Sequence, residues 1–396
     1  MAVTTFVRRE ALLPDPVRIH RYQRIPELGP KILFFTGGTA INGVSRVLKR
    51  YTHNSIHLVT PFDSGGSSAK LRKAFAMPSI GDLRSRMMAL ADDSIEGNPE
   101  VVQLFAYRLP KKGKQKHLKQ QLHLMQRGED ILINAIPNPM RRLIRTQLGY
   151  FLEAMPADFD LRGASIGNLI LAGGYLNNHR HLDPIVYLFS KLVNVKGTVR
   201  TIVNEDLHIG AKLADGSTII GQHNLTGKEV RPLQQRIDEL FLTRGLDQKK
   251  RCKTMLRDKI IRLIESADLI CYPMGSFYSS MMANLLPLGV ADAIARSNCP
   301  KIFIPNVAGD PEQVGLGLNR SVERLLETLE QGRSSSGGSL LDYILLDCHR
   351  GRYPEPVVCS QLTASGIEVI DTHLITRKSA PYYHHKRVVE VLLSLT

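Results

Sequence analysis

The sequence predicts an α/β protein: a Rossmann-like, mostly parallel sheet with an inserted basic helical subdomain. Three observations carry this expectation. Lys31-Ile-Leu-Phe-Phe35 and Ser55-Ile-His-Leu-Val-Thr60 are apolar runs that end in glycine-rich loops, with a helical pattern between them. Two further apolar runs, Asp268–Tyr272 and Lys301–Pro305, follow far downstream. Between the two groups lies a long helical stretch, from Gly81 to about Asn178, that carries an unusual load of positive charge.

The first run is uninterrupted rather than alternating, as expected of a parallel strand covered on both faces. It passes into Thr36-Gly37-Gly38-Thr39-Ala40-Ile41-Asn42-Gly43, after which Val44, Val47, Leu48 and Tyr51 recur at helical spacing. The second run completes a strand–helix–strand unit, which requires parallel pairing and a right-handed crossover. Its loop is Pro61-Phe-Asp-Ser-Gly-Gly-Ser-Ser68. Helices are expected over Asp82–Ala91 and Val101–Arg108. Strands resume at Val199–Val203, His208–Leu213 and Ser217–Ile220, the last two joined by Asp215-Gly216, a hairpin signal. After a helix at Lys253–Glu265, the runs at 268–272 and 301–305 read as buried strands at the far side of the sheet. Gln331–Gly338 reads as a flexible connector, and Lys386–Leu395 as a closing helix. The resulting division is an N-terminal extension (1–30), a core formed by 31–108 and 163–396, and the helical insertion 109–162.

The chain has 396 residues, with 52 Lys+Arg against 37 Asp+Glu, a formal charge of +15. Hydrophobic residues at 43% suffice for a large core and exclude wholesale disorder. The absence of tryptophan, with 6% aromatics, argues against a surface that works by stacking bases. Residues 107–145 hold ten Lys/Arg (Arg108, Lys111, Lys112, Lys114, Lys116, Lys119, Arg127, Arg141, Arg142, Arg145) against Glu129 and Asp130, so +8 of the +15 sits there. Such a run is a solvated helical face, or a lid or docking surface for an acidic partner. Five dispersed cysteines (Cys252, Cys271, Cys299, Cys348, Cys359) make neither a disulfide framework nor a zinc signature. No run reaches the length needed to span a bilayer. The expectation is a cytoplasmic protein with reduced thiols and no membrane partner.

Gly37-Gly38-Thr39 falls where the first strand of a doubly wound sheet turns into its helix, the edge at which ligands bind. Glycines there let the backbone approach a phosphate, or serve only the turn. The spacing is neither GxGxxG nor a Walker loop. Asp63 is placed to accept from a hydroxyl or to hold a magnesium ion beside a diphosphate, or else to cap its own loop. Gly65, Gly66, Ser67 and Ser68 supply backbone and hydroxyl donors to phosphate oxygens. His179 with His181, and His384 with His385, have no cysteine nearby and fall in polar stretches, so they read as poor metal ligands.

In this order, Gly37-Gly38-Thr39, Asp63-Ser-Gly-Gly-Ser-Ser-Ala-Lys-Leu-Arg72 and Gly81-Asp82-Leu-Arg84 resemble the GGTG, DDGGSSGxLR and GDIR motifs of the CofD-like (UPF0052) family. Gly167-Asn168-Leu169 and Asn204-Glu205-Asp206 resemble its GNL and NED blocks. Ala267–Ser280 with Asn284-Leu285-Leu286 resembles its ADLI…GSxYTS…NLL block, and Asn306-Val307 the block after the next strand. Three departures stand out: Ala40 replaces a glycine, Ser64 replaces the second Asp of a pair, and the basic segment 109–162 is added.

The family has two characterised faces. One is a 2-phospho-L-lactate transferase that moves a phospholactyl group from a guanylyl-diphosphate donor to a deazaflavin alcohol with magnesium. The other is the YvcK-type gluconeogenesis factor, a UDP-sugar-binding regulator of carbon metabolism and cell shape, which the GGSS loop and Gly275–Ser279 resemble more. The resemblance implies that Gly37, Gly38, Thr39, Asn42, Ser67, Ser68, Asn168, Asn204, Asp206, Gly275 and Ser276 bind the nucleotide and its phosphates, the last two as a second anion-receptive helix start. It implies that Arg72, Arg84 and Arg108 neutralise diphosphate charge, and that Asp63 and Asp82, with Arg108, serve catalysis. Asp63 would hold acceptor or Mg2+, and a homodimer is compatible with the family. The expected function is phospholactyl-transferase-like; the alternative is a non-catalytic UDP-sugar-binding regulator. A third reading has the basic subdomain bind nucleic acid, with the nucleotide as a regulatory signal.

Overall fold

The structure, a computed structural model, describes residues 10–227, 230–335 and 337–396; the expectations for residues 1–9 and for Ser336 in the connector lie outside the described residues. The strands are β1 (Ile32–Thr36), β2 (Ile56–Val59), β3 (Thr198–Thr201), β4 (His208–Leu213), β5 (Thr218–Ile220), β6 (Ile237–Thr243), β7 (Arg251–Cys252), β8 (Leu269–Tyr272), β9 (Lys301–Phe303), β10 (Tyr343–Leu346) and β11 (Glu368–Asp371). Seven of them form one parallel sheet in the order β11-β10-β9-β8-β1-β2-β3. The helices are α1 (Pro16–Arg24), α2 (Asn42–Leu48), α3 (Gly66–Phe75), α4 (Gly81–Leu90), α5 (Pro99–Ala106), α6 (Gln115–Arg127), α7 (Ile131–Asn134), α8 (Met140–Ala154), α9 (Ile166–Asn177), α10 (Leu182–Leu192), α11 (Asp258–Glu265), α12 (Val290–Arg296), α13 (Leu318–Gln331), α14 (Cys359–Ala364) and α15 (His385–Ser394).

Every residue of β1 is buried, which is why its sequence does not alternate. Alternation is still written in the packing. Leu33 and Phe35 face one core with Ile56, Leu58, Ile270 and Tyr272. Ile32 and Phe34 face the other, with Leu269, Cys271, Val44 of α2 and Val388 of α15. The α/β Rossmann-like class is therefore realised as the sequence predicts. One placement differs. The runs at 268–272 and 301–305, expected at the far side, lie mid-sheet: β8 pairs directly with β1 through Leu33↔Ile270, and β9 follows it. The outer positions belong to β10 and β11.

A smaller antiparallel sheet, β5-β4-β6-β7, packs onto the first core through Ile209, Ala211 and Leu242. Its β4–β5 hairpin is the one signalled by Asp215-Gly216: Gly216 has φ +83°, and Asp215 Oδ1 accepts from the Ser217 N–H at 2.9 Å.

The third hydrophobic cluster joins the helices. Leu118, Leu122 and Met125 of α6, and Ile144, Leu148 and Phe151 of α8, pack with Phe105, Ile170 and Phe189 of α5, α9 and α10. α8 and α9 lie so close that a Cβ on Gly173 would run into the Gln147 carbonyl. The chain leaves the core beside Ser165 and returns there: Leu109 N–H donates to Ala164 O, and Ile166 N–H to Tyr107 O. Among the described residues, none of the ten Lys/Arg of 107–145 forms an ion pair with a carboxylate. The first described residues also dock on the core, since Asp15 N–H donates to Ser394 Oγ at 2.8 Å. Among the described residues no helix is long and apolar enough to cross a membrane.

Candidate functional site

Strand order fixes where a ligand can go. The chain runs outward from β1 in one direction through β2 and β3, and in the other through β8 to β11. The loops after β1 and β8 therefore diverge and leave a crevice at the carboxyl edge. A cleft of about 810 Å³ opens there. Its floor is Gly37, Gly38 and Thr39 after β1. One wall is Asp63, Gly65, Gly66, Ser67 and Ser68 after β2, and the facing wall is Gly275 and Ser276 after β8. Asp82 and Arg84 of α4, Arg108 and Asn168 of α9 complete it. Residues that are scattered along the sequence are thus brought together.

The sequence reads 63–68 as a loop, but α3 begins within it at Gly66, so Ser67 and Ser68 occupy a first helical turn. Asp63 Oδ1 accepts from the Gly65 N–H at 3.1 Å, an Asx turn just ahead of the helix, whose N-cap is Gly65. Glycines are needed where the walls meet. A Cβ on Gly37 would lie 2.5 Å from Ser280 Oγ, and one on Gly81 2.6 Å from Ser68 Oγ and 3.4 Å from Asp63 Oδ2. Gly38 has room: the nearest atom to its added Cβ is Asp82 Oδ1 at 3.9 Å. Both carboxylates thus border the same glycine-lined space. Among the described residues no three His, Cys, Asp or Glu side chains cluster as a metal site. Were a magnesium ion bound here, Asp63 and Asp82 are the carboxylates of the lining that could hold it, with phosphate oxygens and water completing its shell.

Charge in the lining is lopsided: Lys70, Arg84, Arg108, Lys111 and Arg162 against Asp63 and Asp82. Arg84 donates to Asn168 Oδ1 at 2.8 Å and to the Phe105 carbonyl, which fixes α4 against α9. Burial, together with the charge of Arg108, pulls its guanidinium down to about 10. Asp160 accepts from Lys70 at 2.8 Å and from Arg162, so these two are partly neutralised, whereas Arg108 and Lys111 have no carboxylate partner among the described residues. Lys111 and Arg162 were not singled out in the sequence. They arrive from the basic segment, and only the pairing at Leu109–Ala164 shows that its two ends reach the cleft.

Four expected ligands do not line the cleft. Arg72 is buried and fully engaged: Asp206 Oδ1 accepts from its Nε and Nη2, and the carbonyls of Phe62, Asp63 and Leu207 accept from the same guanidinium. Arg72 and Asp206 bracket the wall from behind and are not among the residues that line the cleft. Asn204 Oδ1 accepts from Thr201 Oγ1 at 2.6 Å and from Arg257. Asn42 Nδ2 donates to Ser85 Oγ and ties α2 to α4. The second helix start also differs from expectation. The N–H groups of Tyr278 and Ser279 already donate to Glu312 Oε2, at 3.0 and 2.7 Å, and that of Phe277 to Asp310 Oδ2 at 2.7 Å. The protein's own carboxylates occupy the anion position there. Burial and the neighbouring Asp310 push Glu312 up to about 7.

Ser64, where the family has an acid, bonds to His223 Nδ1 at 2.7 Å, and with Gln222 and Thr226 this histidine brings the small sheet into the lining. Sequence reasoning missed it because a histidine in a polar loop carries no spacing signal. It also missed Arg86, which is fully buried beneath the Gly37-Gly38 loop.

Fold and cleft define a Rossmann-like α/β protein with an open cleft at the β1/β8 switch point. The chain belongs to the CofD family: the family model described as "2-phospho-L-lactate transferase CofD" matches residues 32–375. Among curated relatives, the gluconeogenesis factor of Bacillus subtilis (strain 168) is 27% identical over 377 residues, covering 92% of this chain and 97% of the relative. That of Halalkalibacterium halodurans is 26% identical over 378 residues, covering 91% and 95%. A crystal structure of a UPF0052-family protein from Bacillus halodurans superposes with a TM-score of 0.66 at 23% identity, covering 92% of this chain and 99% of that one.

Proposed function

We propose that the cleft binds a nucleoside diphosphate conjugate, and that the chain acts as a ligand-sensing regulator rather than an enzyme, in keeping with the name gluconeogenesis factor carried by its relatives. The observation that carries this reading is the excess of five cations over Asp63 and Asp82 in the lining around the glycine floor after β1, with Arg108 and Lys111 unpaired by any carboxylate among the described residues. That arrangement suits a diphosphate and leaves the ends of the cleft for base and sugar. Backbone N–H groups and the hydroxyls of Ser67 and Ser68 take phosphate oxygens, while Arg84, Arg108 and Lys111 offset their charge.

A second reading, phospholactyl-type transfer to an alcohol, is favoured by Asp63 and Asp82 both lining the cleft. Such a reaction needs no protein nucleophile. Asp63 would orient the acceptor hydroxyl and take its proton, Arg84 and Arg108 would meet charge developing on the phosphoryl oxygens, and the walls would exclude water. A magnesium ion held by Asp63 and Asp82 would supply further charge stabilisation when bound.

Calorimetry with UDP, GDP and UDP-N-acetylglucosamine tests the binding claim; no binding of any of the three overturns it. Incubation with a nucleoside-diphosphate donor, a deazaflavin alcohol and magnesium separates the readings. Turnover that is lost in Asp63→Ala selects the transferase, and tight binding without product selects the regulator.

A further inference from the structure

Arg86 is the largest fully buried side chain of the described protein, and it has no carboxylate within ion-pair distance. Its guanidinium donates to Ser45 Oγ at 2.8 Å, Thr36 Oγ1 at 3.0 Å, Gly38 O at 3.1 Å and Gly37 O at 3.4 Å, and its Nε has no partner. The charges that act on it are Asp82, which favours the cation but forms no ion pair with it, and Arg46, which opposes it. A buried cation that lacks a counter-ion is costly, and hydrogen bonds to neutral oxygens offset only part of that cost.

The geometry of those bonds matters as much as the charge. In a trans peptide the C=O and the following N–H lie in one plane and point in opposite directions. Arg86 draws the carbonyls of Gly37 and Gly38 inward, so the N–H groups of Gly38 and Thr39 are turned outward, to the cleft floor. Neither N–H donates to another group of the described chain. Two successive outward amides form an anion-receptive concavity, and here a whole positive charge lies beneath it.

We propose that Arg86 is the positioning residue of a phosphate subsite at Gly38–Thr39, latching the loop with its amides outward and holding a charge whose counter-ion is the ligand's phosphate. This rests on the diphosphate reading above and deepens it. The subsite favours the multiply charged end of the ligand, so affinity climbs from nucleoside to monophosphate to diphosphate, and pyrophosphate alone binds. Arg86 never touches the ligand; it acts through the loop and through its field.

The test uses the full chain with pyrophosphate, uridine, UMP and UDP in calorimetry, and 15N–1H spectra that follow the Gly38 and Thr39 amides. In the wild type, pyrophosphate shifts both amide resonances. Arg86→Met loses affinity for UDP and pyrophosphate by roughly tenfold to a hundredfold, and the UDP-to-uridine affinity ratio collapses. Should Arg86→Met fail to fold, the double variant Thr36→Val/Ser45→Ala removes two anchors and keeps the charge. It is expected to lose UDP affinity and to broaden the two amide resonances. If a folded Arg86→Met, or failing that the double variant, binds UDP as the wild type does, Arg86 is merely structural: the inference falls while the cleft reading stands. Wild-type binding of UDP without any shift of the Gly38 and Thr39 amides places the phosphate elsewhere and also overturns it. If the wild type binds no diphosphate, both fall.

Discussion

Arg72 and Asp206 meet edge-on, with Asp206 Oδ1 accepting from Nε at 2.9 Å and from Nη2 at 2.6 Å. Arg72 comes from α3 and Asp206 from the turn between β3 and β4, so this one pair ties the wall bearing Asp63 to the small antiparallel sheet. Asp206→Ala leaves a buried guanidinium without its carboxylate and is expected to cost about 3 kcal/mol of stability. Urea denaturation measures that loss. A change in ligand affinity without a change in stability would assign the pair to binding instead.

The glycine floor separates space from approach. Gly37→Ala places a methyl against Ser280 and is expected to lower the melting temperature. Gly38→Ala has room inside the protein, so its stability should match the wild type. Its methyl stands next to Asp82 at the cleft floor, so UDP affinity should fall. Thermal melts and calorimetry on the two variants check the contrast.

Glu312 gives a pH dependence with a definite sign. Its carboxyl rises from the ordinary 4.5 to about 7, through burial first and Asp310 second. Across that window the native state keeps a proton that the unfolded chain has released. The contribution of this group to stability is therefore full below about 4.5 and is lost as pH rises towards 7. Glu312→Gln should flatten this part of the profile, read as urea midpoints at about pH 5 and about pH 7.5. An unchanged difference between the two midpoints would refute the assignment.

The union of α8 with α9 is tested at Gly173. A methyl there forces the helix away from the Gln147 carbonyl, so Gly173→Ala should cost ~1–3 kcal/mol by chemical denaturation. Excision of 115–154 would uncover α9, ten of whose residues are buried, and should yield aggregated chain in size-exclusion chromatography.

The strands and loops that build the floor were legible in the sequence because local rules determine them. Uninterrupted apolar text marked β1 and a run broken only by His57 marked β2, glycine punctuation marked their ends, and Asp-Gly marked the β4–β5 turn. Lateral order was not legible, since nothing in Leu269–Tyr272 states that its neighbour is β1. The basic segment carries two kinds of text at once. Its charges decorate the outer face of α6 and α8, while Leu118, Leu122 and Ile144, spaced among them, bind the segment into the helical core. Arg86 went unnoticed because an arginine in helical text reads as solvated. Asp310 and Glu312 went unnoticed because their partners lie some thirty residues earlier, and only tertiary contact reveals them.

The adjacency of β1 and β8 also sets a schedule. The floor of the cleft is synthesised long before its facing wall, which follows a strand made only after the whole helical layer and the small sheet. Closing so long a loop is slow, and nothing shorter brings the two walls together. A nascent chain halted before Tyr272 would carry the glycine floor with nothing opposite it. Any ligand that the completed cleft takes would therefore be captured late in synthesis, and one present at that moment would act as a clamp that favours the completed fold.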